Sequence, residues 1–280
     1  MNLNYQPNMN IGTLGSVSDG KSTMIYQLTG IKTQKHSSEK QRNITIKPGY
    51  ANLKIWYCDT CDDYESSSDR NNLICKYCNS DCTLANHISF VDCPGHAELI
   101  LTMMGSLSLM KGSVVVISAA EQISKKPQLR QHLIASKMAN INKLIICFNK
   151  LDLISKEVAI QRKKELDELL NELEIKPYVI IPTSFNKKLG LKHLLKAMMD
   201  VFPPQENNND KTSFFRITRS FDVNKPGTNW KDVNGGVIGG SLISGELNID
   251  ETVEIKPGIL SKGKDGKYAC QSIITKIKTL

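Results

Sequence analysis

The chain reads as an α/β fold, a mostly parallel sheet with helices on both faces, followed by a partial antiparallel β-barrel. Three observations carry that reading. Apolar strand-like runs alternate with helix-period segments from residue 9 to about residue 201, as in βαβ units whose parallel strands are covered on both faces. The pattern breaks at Pro203-Pro204-Gln-Glu-Asn-Asn-Asn-Asp210, a polar stretch without periodicity. Beyond it lie only short β-type runs separated by Gly, Asn and Asp. The expected division is a first domain over 1–202, a linker over 203–212 and an incomplete barrel over 213–280.

In chain order, Met9–Leu14 is a strand that feeds a Gly-rich turn, and Lys21–Leu28 opens the helix behind it. Gly49–Tyr57 and Ile88–Asp92 read as strands. Glu98–Met110 reads as a helix with Leu99, Met103, Leu107 and Met110 on one face. Ser113–Ala119 and Leu144–Phe148 are buried-type strands with the helix Gln128–Met138 between them. Lys156–Leu173 places Leu166, Leu169, Leu170 and Leu173 among charges, an amphipathic surface helix. Tyr178–Pro182 and Leu191–Phe202 complete the alternation. The later strands are Phe214–Phe221, Gly236–Ile243, Glu251–Ile255 and Ser272–Ile277. The pattern stops at Thr279-Leu280 directly after a strand, so the barrel is expected to be unfinished.

Composition narrows the class. With 280 residues, 40% apolar and 6% aromatic, the chain has the make-up of a globular protein of more than one domain. No apolar run approaches the ~18 residues of a membrane span, and the start shows neither a basic n-region nor an apolar h-region. A net charge of +8 is met by a solvated Lys-rich surface and only mildly favours an anionic partner such as RNA. Of eight cysteines, five crowd into 58–82, which is not the distribution of a secreted disulfide scaffold. A reducing, cytoplasmic setting without a membrane partner is expected.

Cys58-x-x-Cys61 and Cys75-x-x-Cys78 form two close pairs. Each pair makes a turn that points two thiolates at one ion, and four thiolates give a closed tetrahedral Zn²⁺ site. The polar stretch 62–72 between them needs such a clip to be ordered. A zinc-ribbon insertion over 58–82 follows, with Cys82 as a spare outside the four ligands and no open position for catalysis.

Three further motifs come in a telling order. Gly15-Ser-Val-Ser-Asp-Gly-Lys-Ser22 fits G-x-x-x-x-G-K-[ST], a loop whose backbone N–H groups cradle phosphate. Gly15, Ser18, Asp19, Gly20, Lys21, Ser22 and Thr23 are the candidate phosphate contacts, Lys21 for the β/γ phosphates and Ser22 for Mg²⁺. Asp92-Cys-Pro-Gly-His96 supplies an acid on the metal side, through water, and Gly95 for the γ-phosphate. Asn149-Lys150-Leu151-Asp152 supplies a bidentate carboxylate for the N1–H and N2–H₂ edge of guanine; adenine would leave that carboxylate unpaired. The α/β unit is thus a P-loop GTPase domain binding GTP or GDP with Mg²⁺.

Together with Arg42-Asn-Ile-Thr-Ile-Lys-Pro-Gly-Tyr-Ala51, the ribbon and Arg219-Ser-Phe-Asp-Val-Asn-Lys-Pro-Gly227, these motifs make the chain resemble the gamma subunit of eukaryotic and archaeal translation initiation factor 2. The resemblance runs from about residue 9 to the end. Members have a G domain and two β-barrels, of which this sequence reaches only into the first. The family's phosphate loop usually has His where this chain has Ser16 and Asp19, and some relatives have an acid where it has Ser18. Asp19 should weaken nucleotide binding unless its carboxylate turns away from the phosphates. The usual Ser-Ala of the base loop becomes Ser184-Phe185, leaving one backbone N–H for the guanine O6.

The resemblance implies a GTP-dependent carrier of initiator methionyl-tRNA to the small ribosomal subunit, with hydrolysis as the release switch. It implies Thr45 as the switch ligand to Mg²⁺ and His96 as the residue orienting the attacking water. Asn43 and Tyr50 would serve tRNA binding, Tyr50 as a stacking face or simply as a strand-start core residue. Implied partners are the alpha and beta subunits and GTPase-activating and exchange factors. No arginine finger is recognisable, so hydrolysis is expected to be slow alone and partner-stimulated. The competing reading is a non-hydrolysing GTP-bound scaffold for partner subunits.

Overall fold

The computed structural model describes residues 6–33, 45, 48–68, 72–96, 99–177, 179–204, 212–233, 235–262 and 268–280. Asn43 lies outside the described residues. The chain forms two compact units, Met1–Gln205 and Glu206–Leu280, each taken by itself below.

The first unit is built on a mixed sheet. Its strands are β1 (Met9–Leu14), β2 (Gly49–Cys58), β3 (Asp63–Ser67), β4 (Leu73–Ile74), β5 (Asp81–Asp92), β6 (Gly112–Ser118), β7 (Leu144–Asn149) and β8 (Val179–Pro182). The order is β3-β2-β5-β1-β6-β7-β8, with β4 paired to β5. From β5 to β8 the pairs are parallel, whereas β2 runs antiparallel to both β5 and β3. The expected parallel sheet is present and carries an antiparallel edge.

The strands β6 and β7 are buried along their whole length, as Val/Ile-rich runs covered on both faces must be. Period-2 alternation divides them between two cores. Val114, Val116, Ile145 and Cys147 face α1 (Lys21–Thr29) and α5 (Leu191–Val201). Val115, Ile117, Ile146 and Phe148 face α2 (Ile100–Leu107), α3 (Pro127–Met138) and α4 (Lys156–Glu172).

Helix ends follow local chemistry. Gly30 closes α1 in the left-handed region, its N–H donating to the Tyr26 carbonyl at 2.7 Å. Ser155 caps α4, its hydroxyl accepting from the Val158 amide at 3.5 Å. The helix expected over 98–110 is shorter, because Leu109 and Met110 donate to Ser106 and Leu107 in tighter i→i+3 turns. Met103, Leu107 and Met110 still share the core.

The strand expected at Ile88–Asp92 begins seven residues earlier, at Asp81. Both β2 and β5 run continuously from the central sheet into the cysteine ribbon, and β3 extends the same sheet. The ribbon is therefore grown out of the sheet edge. Lys192 on α5 pairs with Asp63 and lies 4.4 Å from the centre of the Tyr77 ring, clamping the ribbon to that helix.

In the second unit, β9 (Phe214–Phe221) pairs antiparallel with β10 (Val237–Ser244), and β11 (Thr252–Lys262) with β12 (Tyr268–Lys276). The antiparallel strands expected there are present as two separate two-stranded sheets. None of this unit's described side chains is buried.

Candidate functional site

The phosphate loop joins β1 to α1. Gly20 adopts φ 106°, and a Cβ there would stand 2.5 Å from the Asn149 carboxamide nitrogen, so only glycine lets these two motifs meet. Asn149 donates from that nitrogen to the Asp19 carbonyl at 2.9 Å and accepts from the Phe185 amide at 3.1 Å. One side chain thereby ties the phosphate loop to the base loop. Gly95 closes the other side: a Cβ on it would lie 2.5 Å from Lys21 Nζ and 2.9 Å from the Val17 amide nitrogen.

Lys21 is almost fully buried, and its ammonium donates to the Gly15 and Ser16 carbonyls at 3.0 and 2.7 Å. Burial pushes its pKa down, opposed by the nearby Asp92 and Asp19 carboxylates. Asp92, at the end of β5, is fully buried and accepts hydroxyl hydrogen bonds from Ser22 at 2.7 Å, Thr13 at 3.1 Å and Thr33. Ser22 Oγ also lies 3.3 Å from Thr45 Oγ1. The hydroxyls of Ser22 and Thr45 and the Asp92 carboxylate form an oxygen-only donor set, the type that suits Mg²⁺.

A cavity of about 300 Å³ opens over this set. Val17, Ser18, Gly20, Lys21, Ser22, Thr23, Thr45, Gly95, His96 and Lys150 line it, so residues far apart in sequence converge on one anion-sized space with a buried cation at its floor. His96 is exposed at its edge. Asp152 accepts a hydrogen bond from the Ser184 hydroxyl at 2.6 Å, which orients the carboxylate. The Phe185 ring turns into the core and its amide is taken by Asn149, while Asn186, one residue on, lines the cavity. Tyr50 sits half-exposed on β2 opposite Val91.

Asp19 turns away from the cavity. Its carboxylate accepts from the Ser16 amide at 2.7 Å and the Ser118 amide at 3.0 Å, and pairs with the buried Lys126 ammonium. The acid that the sequence places among the phosphate contacts is thus not part of the cavity lining. Two residues missed by motif reading therefore belong to the loop's foundation. Lys126 is one. The other is His132, whose Nδ1 accepts from the Gly15 amide at 3.2 Å; burial, then Lys21, pushes its pKa down to about 4. The signal for Lys126 was an acid, Asp19, in a Gly-rich loop meant for phosphate; a His within a helix-period segment gave none.

In the ribbon, the sulfurs of Cys58, Cys61, Cys75 and Cys78 all lie within 4.8 Å of one another. Cys58–Cys78 is 3.4 Å and Cys61–Cys75 3.7 Å. A tetrahedral Zn²⁺ with ~2.3 Å bonds has sulfur edges of about 3.8 Å, so the donors fit that ion. The Ser80 hydroxyl and amide pull Cys78 down to about 6, while the thiols around Cys61, Cys78 first, push it up to about 12. Cys82 is buried beside the four, and burial pushes it up to about 11.

Residues 6–204 match the family model described as the elongation factor Tu GTP binding domain. The chain is 40% identical to translation initiation factor 2 subunit gamma of Methanococcus maripaludis, over all of this chain and 67% of that protein. It is 36% identical to the eukaryotic factor's gamma subunit from Encephalitozoon cuniculi, over 99% of this chain and 64% of the relative. The chain thus spans about two thirds of the length of these relatives. In fold it is similar to a bacterial selenocysteine-specific elongation factor, EF-Sec (TM-score 0.62, 23% identity, 95% of this chain and 38% of the other). It is also similar to elongation factor SelB of Methanococcus maripaludis, solved with the GTP analogue GppNHp (TM-score 0.59, 20% identity, 97% and 50%). Among the described residues no helix is long and apolar enough to cross a membrane. The first unit is thus a GTPase domain, and the chain belongs to the family of translation initiation factor 2 gamma subunits.

Proposed function

We propose that the chain is a GTP-controlled carrier of initiator methionyl-tRNA to the small ribosomal subunit, with GTP hydrolysis as the release step. The observation that carries this is the Ser22–Asp92–Thr45 hydroxyl–carboxylate set, which joins the phosphate loop to the segment leading into β2. A switch needs a segment whose order depends on the γ-phosphate and its metal. Thr45 stands where such a dependence would act.

The residues divide the work. Backbone amides of the loop and the Lys21 ammonium bind phosphate, and Asp152, oriented by Ser184, selects guanine. Ser22 and Thr45 would hold Mg²⁺ and Asp92 would support it from the metal side; when bound, that ion would offset phosphate charge. His96 orients the attacking water, and Gly95 lets its segment close on the loop. Cys58, Cys61, Cys75 and Cys78 hold one structural Zn²⁺. Tyr50 and Asn43 contribute to tRNA binding. The alpha and beta subunits, the GTPase-activating and exchange factors and the cytoplasm belong to the same reading, which the gamma-subunit relatives support.

The test is binding of methionyl initiator tRNA in the presence of a GTP analogue and of GDP. Preference for the GTP-analogue form is expected, and equal binding would overturn the carrier reading. In the same assay system, His96→Ala should lower partner-stimulated hydrolysis by about 10²–10⁴-fold, the range for a positioned acid–base group, with GTP affinity nearly unchanged. Unaltered hydrolysis in that variant would overturn the role given to His96, and absence of stimulated hydrolysis in the unmodified chain would leave a non-hydrolysing scaffold for partner subunits.

A further inference from the structure

Asp19 and Lys126 stand 107 positions apart in sequence yet pair with both side chains buried. Every other ion pair among the described residues keeps at least one partner in contact with solvent. A buried carboxylate without a counter-ion is strongly destabilising, and this one belongs to a loop that must receive phosphate. Both its oxygens are engaged on the protein side, Oδ2 by the Ser16 amide and Oδ1 by the Ser118 amide and Lys126. Lys126 is held rigidly, its amide donating to the Ile123 carbonyl and its carbonyl accepting from Leu129 as α3 begins at Pro127. Its ammonium also meets the exposed Glu121, at 3.3 Å. Lys21 is within electrostatic reach of both members: Asp19 raises its pKa and Lys126 lowers it.

We propose that Lys126 is a positioning residue of the nucleotide site. It cancels the charge of Asp19 and keeps that carboxylate turned against the Ser16 and Ser118 amides, so that the loop meets phosphate without an anion competing beneath it. The inference rests on the loop holding nucleotide phosphate, and its signature is a loss that grows with the number of phosphates. A purely structural contact would weaken all guanine nucleotides alike.

The experiment measures affinities of the whole chain for GTP, GDP and GMP with Mg²⁺. In Lys126→Met, the uncompensated carboxylate should weaken GTP by roughly tenfold or more, as expected for charges several ångströms apart at an effective dielectric of ~20, with a smaller loss for GDP and the least for GMP. The double variant Asp19→Asn/Lys126→Met should restore the GTP-to-GMP ratio of the unmodified chain. Equal losses for all three nucleotides, or no loss, would overturn the proposal. Should Lys126→Met fail to fold, Asp19→Asn alone removes the anion and retains the cation. It should raise the GTP-to-GMP ratio, and an unchanged or lowered ratio overturns the proposal. Absence of GTP binding by the unmodified chain would instead overturn the nucleotide reading, and the proposal with it.

Discussion

The first unit hides its polar chemistry, and the second shows its apolar side chains. In the first, Asp19, Lys21, Asp92, Lys126, His132 and Asn149 are all buried, inside a frame of wholly enclosed Ile, Val, Leu and Phe. In the second, Phe214, Phe221, Ile259, Leu260, Tyr268 and Ile274 are exposed, and none of the described side chains is buried. Both have regular strands. The difference teaches that ladder hydrogen bonds alone set secondary structure, while burial needs a second layer. In the first unit, helices on both faces supply that layer and make it possible to hold charges out of water in fixed positions.

The largest expected effect lies in the ribbon, which carries its own small core of Trp56, Cys58, Leu73, Cys75 and Cys82. Structural zinc binds with free energies of about 10–16 kcal/mol in small zinc domains, so its loss should open residues 58–82 to proteolysis. Elemental analysis should find one zinc per chain, lowered in Cys75→Ser. Full occupancy in a chain lacking both Cys58 and Cys61 would break the assignment.

Next comes the central core. Phe90→Ala, at a fully buried position on β5, should cost about 3–5 kcal/mol, read as a shifted denaturation midpoint. His132 sharpens the contrast through pH. Its unfolded imidazole takes a proton as pH falls below about 6.5, and the folded one only near 4. Between those values the unfolded state binds more protons, so stability falls with falling pH across that window, by roughly 3 kcal/mol. His132→Asn should remove that part of the slope while keeping an acceptor for Gly15.

Smaller is Asp152→Asn, which exchanges the carboxylate proposed to select guanine for a mixed donor and acceptor. A mismatch of about 1–3 kcal/mol should move preference from guanosine toward xanthosine nucleotides. Equal affinity of the unmodified chain for ATP and GTP would break the base assignment. The smallest effect belongs to the second unit. Ile274→Ala on β12, 73% exposed, should change stability by no more than about 0.5 kcal/mol. A loss comparable to that of Phe90→Ala would erase the contrast between the units.

Much of the first unit was readable from sequence, because its strands are continuous apolar runs and its loops carry glycines at positions of close approach. The bounds of β1 and β9 agree with the pattern to the residue. The early half of β5 was not readable, since Asp81, Thr83, Asn86 and His87 look like a polar loop. In the fold Asn86 and His87 are buried, and Asn86 donates to the Phe202 carbonyl at 2.7 Å. Lys126 escaped for a similar reason: lysines usually mark solvent, and only the partner reveals a buried one. The direction of the Asp19 carboxylate depended on that same partner. Motif spacing singled out the loops at 15–22 and 149–152, but the Asn149 clasp that joins Asp19 to Phe185 is a matter of tertiary geometry.

The hydroxyl shell of Asp92 bears on which sequences this site can explore. Thr13 sits fully buried on a central strand between Gly12 and Leu14, where shape alone would admit valine. Valine matches threonine in shape but not in hydrogen bonding, and there it would leave a carboxylate oxygen short of a donor. The same holds at Thr33. In a randomised library selected for nucleotide binding, both positions should accept serine and reject valine, although Ile11 and Leu14 on the strand of Thr13 exchange among aliphatics. Tolerance at this depth is then set by proton donors rather than by volume.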